Sequence, residues 1–397
     1  MVNNWSDWCD AIATLDLISP PCLKKIVWPR NLLRLTLGGD FNLPVVRVAW
    51  PGQLQRLVFG NWFNQPIAGI AWPELQRLTL GDQFNRPLNT LPKLERLVFS
   101  EYSNFNQPMV GITLPELQRL TLGNEFNRPL TLPKLQRLVF SKYSNFNQPM
   151  VGVEWPQLEH VLFGKDFNQP IVGAEFPSLE YLGFGVKFNQ SIVGVQWPKL
   201  KHLIFGFSFN QPLVGTEFPS LEHLEFGRQF NQSIVGVQWP KLKHLVFGIK
   251  FNQPMVGTEF PSLEHLEFGP GSSFNQDFGR TQWPKLEYLM FGPLFNKPIV
   301  GVEWPKLRHL EFGDHFDQSI AAVMLPKVQY VKFGNWFNKP LVHVDRSIFW
   351  PEVQHVHFGS GFNQPVGGVQ WPMLHRVEFG AAFNHPGVVT RHLLSSG

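Results

Sequence analysis

Residues 230–250 read Phe-Asn-Gln-Ser-Ile-Val-Gly-Val-Gln-Trp-Pro-Lys-Leu-Lys-His-Leu-Val-Phe-Gly-Ile-Lys, and the chain says nearly the same thing again at residue 251. Within this stretch Leu245 and Phe247 lie two apart and share one face of an extended segment, with His244 and Val246 on the other face. Leu242 adds the third apolar position of a Leu-x-x-Leu-x-Phe pattern. Gly248 follows where the chain must leave the strand, and the reading assigns it to positive φ at a corner. In the next copy Pro254 and Pro261 bound Met-Val-Gly-Thr-Glu-Phe. Proline lacks the N–H of a ladder, so this side is expected to be extended or polyproline-like, with at most a short second strand. Twenty-one residues that already hold a strand and two prolines leave no room for a helix.

Working outward, the opening Phe recurs seventeen times from Phe41 to Phe383, mostly at a spacing of 21 residues. A fixed period of this length denotes a stacked solenoid, whose copies bury their apolar faces only against neighbours. The expected fold is all-β: a right-handed, leucine-rich-repeat-like parallel β-solenoid of about 17 rungs. The boundaries read as an N-terminal cap over residues 1–26, the repeats over 27–386 and a tail over 387–397. Trp5, Trp8, Ile12, Leu15 and Leu17, ahead of Ser19-Pro20-Pro21, suggest a short amphipathic cap helix over the open N-terminal end.

The aromatic content, 37 Phe and 14 Trp, belongs mostly to the repeat. Ten tryptophans stand in Trp-Pro pairs (Trp28, Trp50, Trp72, Trp155, Trp197, Trp239, Trp283, Trp304, Trp350 and Trp371) and read as core. An asparagine follows the opening Phe in sixteen copies, with Asp317 in the other. Stacked once per rung, it is expected to bond the backbone of the next turn.

The pattern Leu-x-x-Leu-x-Phe-Gly-x-x-Phe-Asn-x-Pro resembles the FNIP repeat, a short relative of the leucine-rich repeat, over about nine tenths of the chain. The asparagine falls two places later than in ordinary leucine-rich repeats, and the dipeptide before Pro is usually Asn-Gln or Asn-Arg. The resemblance implies a curved parallel-sheet solenoid used for protein interaction, and no chemistry.

Function must then lie in the exposed columns. The residue before the second leucine reads Arg34, Arg56, Arg77, Arg96, Arg119, Arg137, then His160, Tyr181, His202, His223, His244 and His265, with Tyr288, His309, Tyr330, His355 and Arg376 beyond. Six arginines at ~4.8 Å repel one another unless anions or a partner lie among them. The next outward column alternates Thr36, Val58, Thr79, Val98, Thr121 and Val139, then mixes Ile204, Val246 and Met290 with Glu225, Glu267 and Glu311. Such β-branched residues beside an arginine stripe suit a protein-binding face. The formal net charge of +4 is concentrated early: residues 1–147 carry 15 Lys+Arg against 10 Asp+Glu, and residues 148–397 carry 19 against 20. The expected partner is a protein with an acidic surface, bound through the twelve columnar residues from Arg34 to His265. The alternative is a module for an anionic polymer, nucleic acid or acidic glycan, or for a cofactor-bearing assembly. Nucleic acid is disfavoured because aromatics are absent from the arginine part of the column.

A flat ladder of histidines without cysteine supplies a tetrahedral zinc site poorly, and no metal or cofactor is expected. No Ser/His/Asp set, paired carboxylate or phosphate-binding loop stands outside the repeat, so no catalytic residue is assigned. Met1–Asp7 has no basic start or apolar run, and no stretch of about 18 apolar residues follows. These features predict a soluble intracellular protein, in which Cys9 and Cys22 read as reduced, buried or incidental thiols, the alternative being a disulfide that clamps the N-terminal cap.

Overall fold

A computed structural model describes residues 12–385, apart from 19, 21, 25, 280, 282, 321–322, 344–345 and 348–349. The chain forms two compact units, Met1–Gln190 with Val195–Pro198, and Ser191–Gly194 with Lys199–Gly397. Both are built of one strand per rung, about 17 turns in all, and no helix occurs among the described residues.

The first unit carries β1 (Thr14–Leu17), β2 (Arg34–Leu37), β3 (Arg56–Phe59), β4 (Arg77–Leu80), β5 (Arg96–Phe99), β6 (Arg119–Leu122), β7 (Arg137–Phe140), β8 (His160–Leu162) and β9 (Tyr181–Gly183). Each pairs with the next in parallel, in an unbroken register that places Arg34 opposite Arg56, Arg56 opposite Arg77, and so on to His160 opposite Tyr181. The second unit carries β10 (His202–Ile204), β11 (His223–Glu225), β12 (His244–Phe247), β13 (His265–Phe268), β14 (Tyr288–Met290), β15 (His309–Glu311), β16 (Tyr330–Lys332), β19 (His355–His357) and β20 (Arg376–Glu378), paired in the same way. Between β16 and β19 the longer 25-residue copy adds a small antiparallel pair, β17 (Val342–His343) with β18 (Arg346–Ser347). The strands begin two residues later than the Leu54 and Leu75 starts of the apolar pattern, because Gln55 and Arg56 both donate to one carbonyl, that of Leu33.

Inside, the second leucine and the strand-ending residue are buried, as at Leu57 and Phe59. The opening phenylalanines form a second column, with ring centroids 5.9 Å apart from Phe63 to Phe84 and 6.0 Å from Phe209 to Phe230. In each of these rungs the two columns also meet, Phe59 on Phe63 at 3.8 Å and Phe226 on Phe230 at 3.7 Å. Burying one such ring contributes roughly 1.5–3 kcal/mol, realised only when the neighbouring rungs are present.

The asparagine ladder is present as expected. The Asn64 carbonyl Oδ1 accepts the backbone N–H of Asn85 at 3.1 Å, Asn106 accepts that of Asn127, and Asn231 accepts that of Asn252. Glutamines of the following rung add a second bond to the same oxygen, as Gln148 does to Asn127 at 2.9 Å. Asp317 keeps the pattern, accepting from Asn338.

Two expectations are corrected. Thr14–Leu17 is a parallel strand on β2, not part of a helix, because its alternating pattern continues the ladder and so covers the edge strand directly. Trp5, Trp8 and Cys9 lie outside the described residues, as does the tail from 386; Cys22 is a free, half-buried thiol. The corner glycines, secondly, do not need positive φ. A methyl group at Gly60 would fall on the carbonyl oxygen of Gly38, and one at Gly248 on that of Gly227, so close backbone approach excludes a side chain at these corners, whereas the longer corners admit Ser100 and Ser141. Positive φ belongs to another column, the Val-Gly turn on the proline side, with Gly173 at 88° and Gly215 at 89°.

Candidate partner-binding surface

The strand grammar itself sets the surface. With Leu57 and Phe59 inward, Arg56 and Val58 must face outward, and the exposure along β2–β7 alternates accordingly, the arginine exposed and the Thr or Val half-buried. All twelve columnar residues stand on this outer face. Arg34, Arg56, Arg77, Arg96, Arg119, Arg137, His202 and His244 are exposed, while His160, Tyr181, His223 and His265 are half-buried.

In the first unit the arginine stripe is uncompensated. Among the described residues none of the six guanidinium groups forms an ion pair with a carboxylate, although lysines of the same unit do, Lys93 with Glu74 at 2.7 Å and Lys134 with Glu116 at 2.8 Å. Neighbouring guanidinium groups held ~5 Å apart repel by about 1 kcal/mol in water-like surroundings. The side chains enclose two hollows. One, of about 150 Å³, has Arg56, Arg77 and Arg96 over a floor of Leu78, Thr79 and Val98. The other, of about 330 Å³, gathers Arg96, Arg119 and Arg137 with Gln136, Glu159 and His160.

His160 closes the stripe. Its ring stacks on Tyr181 at 4.4 Å, and its Nε2 is buried without a hydrogen-bond partner. Burial, reinforced by the positive charge of Arg137, pushes its pKa down to about 4.

In the second unit the same rung position carries rings, tilted to one another at first and stacked further on. His202, His223, His244 and His265 follow at 5.9, 5.8 and 5.7 Å, and His265, Tyr288, His309 and Tyr330 close up to 4.2, 4.5 and 4.4 Å. Burial, and then the charge of neighbouring histidines, lowers the pKa of His223 and His244. The adjoining column supplies carboxylates that answer the rings. His309 Nε2 sits 2.7 Å from Glu311, which also takes Lys332 at 3.1 Å, and the His309 bond above all holds the Glu311 carboxyl down to about 2. Glu378 has His355 Nε2 of the ring column at 3.4 Å and His357 Nδ1 of its own column at 2.7 Å. The alternation of Lys and Glu one place earlier produces the Lys243–Glu222 pair at 2.8 Å.

The His-x-Glu pairing was absent from the sequence reading, yet its signal was there: His309 and Glu311 are two apart on a strand and must share a face. A rim of exposed aromatics also escaped it. Tyr102 and Tyr143 project from corners lengthened by a Tyr-Ser insertion, and Trp62 and Trp336 occupy the same rim position elsewhere, each about half or more exposed.

Among the described residues no cluster of His, Cys, Asp or Glu has the makings of a metal site, and no helix is long and apolar enough to cross a membrane.

The family described as FNIP Repeat matches at residues 167–208, 188–229, 209–248 and 295–336. Among solved structures, the circular leucine-rich-repeat protein CroV588 is 30% identical over 91% of this chain, with a TM-score of 0.65; the chain spans 58% of that protein's length. YopM from Yersinia enterocolitica superposes over 94% of this chain and 90% of its own with a TM-score of 0.51 at 16% identity, a likeness of fold. No curated protein matches the sequence.

Proposed function

We propose that this chain, an array of FNIP repeats on a leucine-rich-repeat-type solenoid, is a non-catalytic scaffold that binds a partner protein through the outer sheet face of its first unit, and that the partner presents an acidic surface there. The observation that carries this reading is the uncompensated stripe Arg34, Arg56, Arg77, Arg96, Arg119 and Arg137. A solenoid that only needed a soluble face would pair these charges, as the second unit does with Glu222, Glu311 and Glu378. Guanidinium groups also suit carboxylates by their planar fork, which gives direction as well as charge. His160 and Tyr181 in the first unit, and His202, His223, His244 and His265 at the matching rung position of the second, are further candidate contacts.

Among the described residues no constellation suited to enzymatic chemistry stands out. The rings from His265 to Tyr330 stack on one another, and His309 pairs with Glu311 rather than facing a hollow.

Retention of the purified partner through gel filtration, set against binding to heparin as a bare polyanion, tests the reading. Partner retention that persists at about 0.15 M salt, where heparin is released, is the expected result. Tighter, salt-matched binding to heparin than to any acidic protein would favour an anionic polymer and sink the proposal.

A further inference from the structure

The spacing of the stripe sets what kind of acidic surface it fits, an inference that rests on the reading just given. The six arginines stand one per parallel strand, in register from Arg34 to Arg137. Strand spacing puts them ~4.8 Å apart, so the stripe runs roughly 24 Å across β2–β7. An extended peptide repeats its same-face side chains every ~6.6 Å or more, and drifts out of register by about 2 Å at each rung. An α-helix repeats a face every 3 or 4 residues, steps of about 4.5 and 6.0 Å. Six carboxylates at relative positions 1, 4, 8, 11, 15 and 18 of a helix span ~25 Å, close to the length of the stripe.

The neighbouring column carries a second match. Val58, Val98 and Val139 alternate with Thr36, Thr79 and Thr121, all half-buried beside the arginines. Valines on every second rung recur at ~9.6 Å, against ~10.5 Å for residues seven apart on a helix. A helix crossing the strands would therefore lay one apolar residue per two turns on the valines, next to its acidic stripe. The hollows agree with this placement, since the one walled by Arg56, Arg77 and Arg96 has Leu78, Thr79 and Val98 as its floor and no carboxylate in it. The other has Glu159 at its edge, beside Arg137 and His160.

We infer that the outer face of β2–β7 takes an acidic amphipathic α-helix of about five turns, lying across the strands, with one carboxylate for each arginine and apolar residues on the valine column.

Fluorescence anisotropy of the full chain with labelled synthetic peptides of about 21 residues tests this. One peptide bears glutamates at the six positions above and leucines at heptad spacing beside them. A second has the same composition with the glutamates spread round the helix. A third keeps the glutamates but carries two central prolines, and oligo(dT) of similar length is the nucleic-acid probe. The striped peptide is expected to bind at least about tenfold tighter than the other three at roughly 0.15 M salt. Arg77→Glu with Arg119→Glu should abolish that preference, and Arg77→Gln with Arg119→Gln should weaken it, with unchanged thermal melts showing that both variants fold.

If the scrambled or proline peptide binds as tightly as the striped one and is lost in the Arg variants, the helix is overturned while an acidic partner stands. Tighter binding of oligo(dT), or indifference of every probe to the Arg variants, overturns both.

Discussion

The interiors of the first and second units are built alike, and their outer faces differ. Leu57, Phe59 and Phe63 in one correspond place for place to Leu245, Phe247 and Phe251 in the other, all buried, with Phe59–Phe63 and Phe247–Phe251 stacked at 3.8 Å in each. The outer column is arginine without counter-charge in the first, and a file of histidine and tyrosine rings in the second, where His265, His309 and His355 have Glu267, Glu311 and Glu378 beside them. Inner columns are constrained by every neighbour in a close-packed stack, whereas an outward side chain answers only to its column and to whatever binds it. The difference between the units is thus where function has room to reside.

The comparison can be broken first at the interiors. Phe126→Ala in the first unit and Phe230→Ala in the second should each cost about 3–5 kcal/mol in chemical denaturation, because each removes a fully buried ring from a column stacked on both sides. A large loss in one and a small loss in the other would mean that the two interiors are not equivalent. Next comes the ladder. Asn127→Ala strips a bond from the backbone of Asn147 at 3.0 Å, and Asn231→Ala one from Asn252 at 2.8 Å, each together with a glutamine contact. Each should cost about 1–3 kcal/mol by the same assay. The Asp317→Asn exchange, which keeps the accepting oxygen, should be close to neutral.

The outer histidines of both units answer to acid. His160, with its pKa pushed down to about 4, and His223 and His244, also lowered, remain neutral in the fold at pH values where the unfolded chain takes up protons. Their contribution is therefore intact above pH 6.5 and is lost as pH falls from there toward the folded values. Glu311 follows the carboxylate rule: held to about 2, it stabilises above its ordinary 4.5 and loses that contribution as pH falls further. The melting temperature should begin to drop below pH 6.5, and His223→Gln with His244→Gln should shallow the drop. A melting temperature that holds level from pH 7 to pH 4 would contradict the assignment. The smallest effect is expected at Lys243→Ala, where an exposed pair with Glu222 is lost and the melting temperature should stay where it is.

The fold was legible because one 21-residue phrase states it seventeen times, and errors in one copy are averaged out by the others. Where that redundancy ends, so does legibility. Thr14–Leu17 stands before the first copy, and its spacing allowed either a helix or a strand until β2 was available to pair with it. The corner glycines were recognised but given the wrong cause, since the approach of Gly60 to Gly38 is a distance between rungs that no single rung contains. The arginine column was visible by register alone, and the structure sets all six side chains on the outer face. The pairing of Glu311 with both His309 and Lys332 depended on rotamers and on a neighbouring rung, and the rim aromatics Tyr102 and Tyr143 on a corner insertion that the period conceals.

The central claim is that the two outer faces differ in function, with the arginine stripe as the binding face. It is tested most directly by measuring partner affinity for two charge-reversed variants with matched charge change, Arg77→Glu with Arg119→Glu in the first unit and Lys201→Glu with Lys243→Glu in the second. The account predicts at least about a tenfold loss of affinity for the first pair, with the melting temperature unchanged or slightly raised as like-charge repulsion is relieved, and wild-type affinity for the second. Equal affinity in the two variants would contradict it.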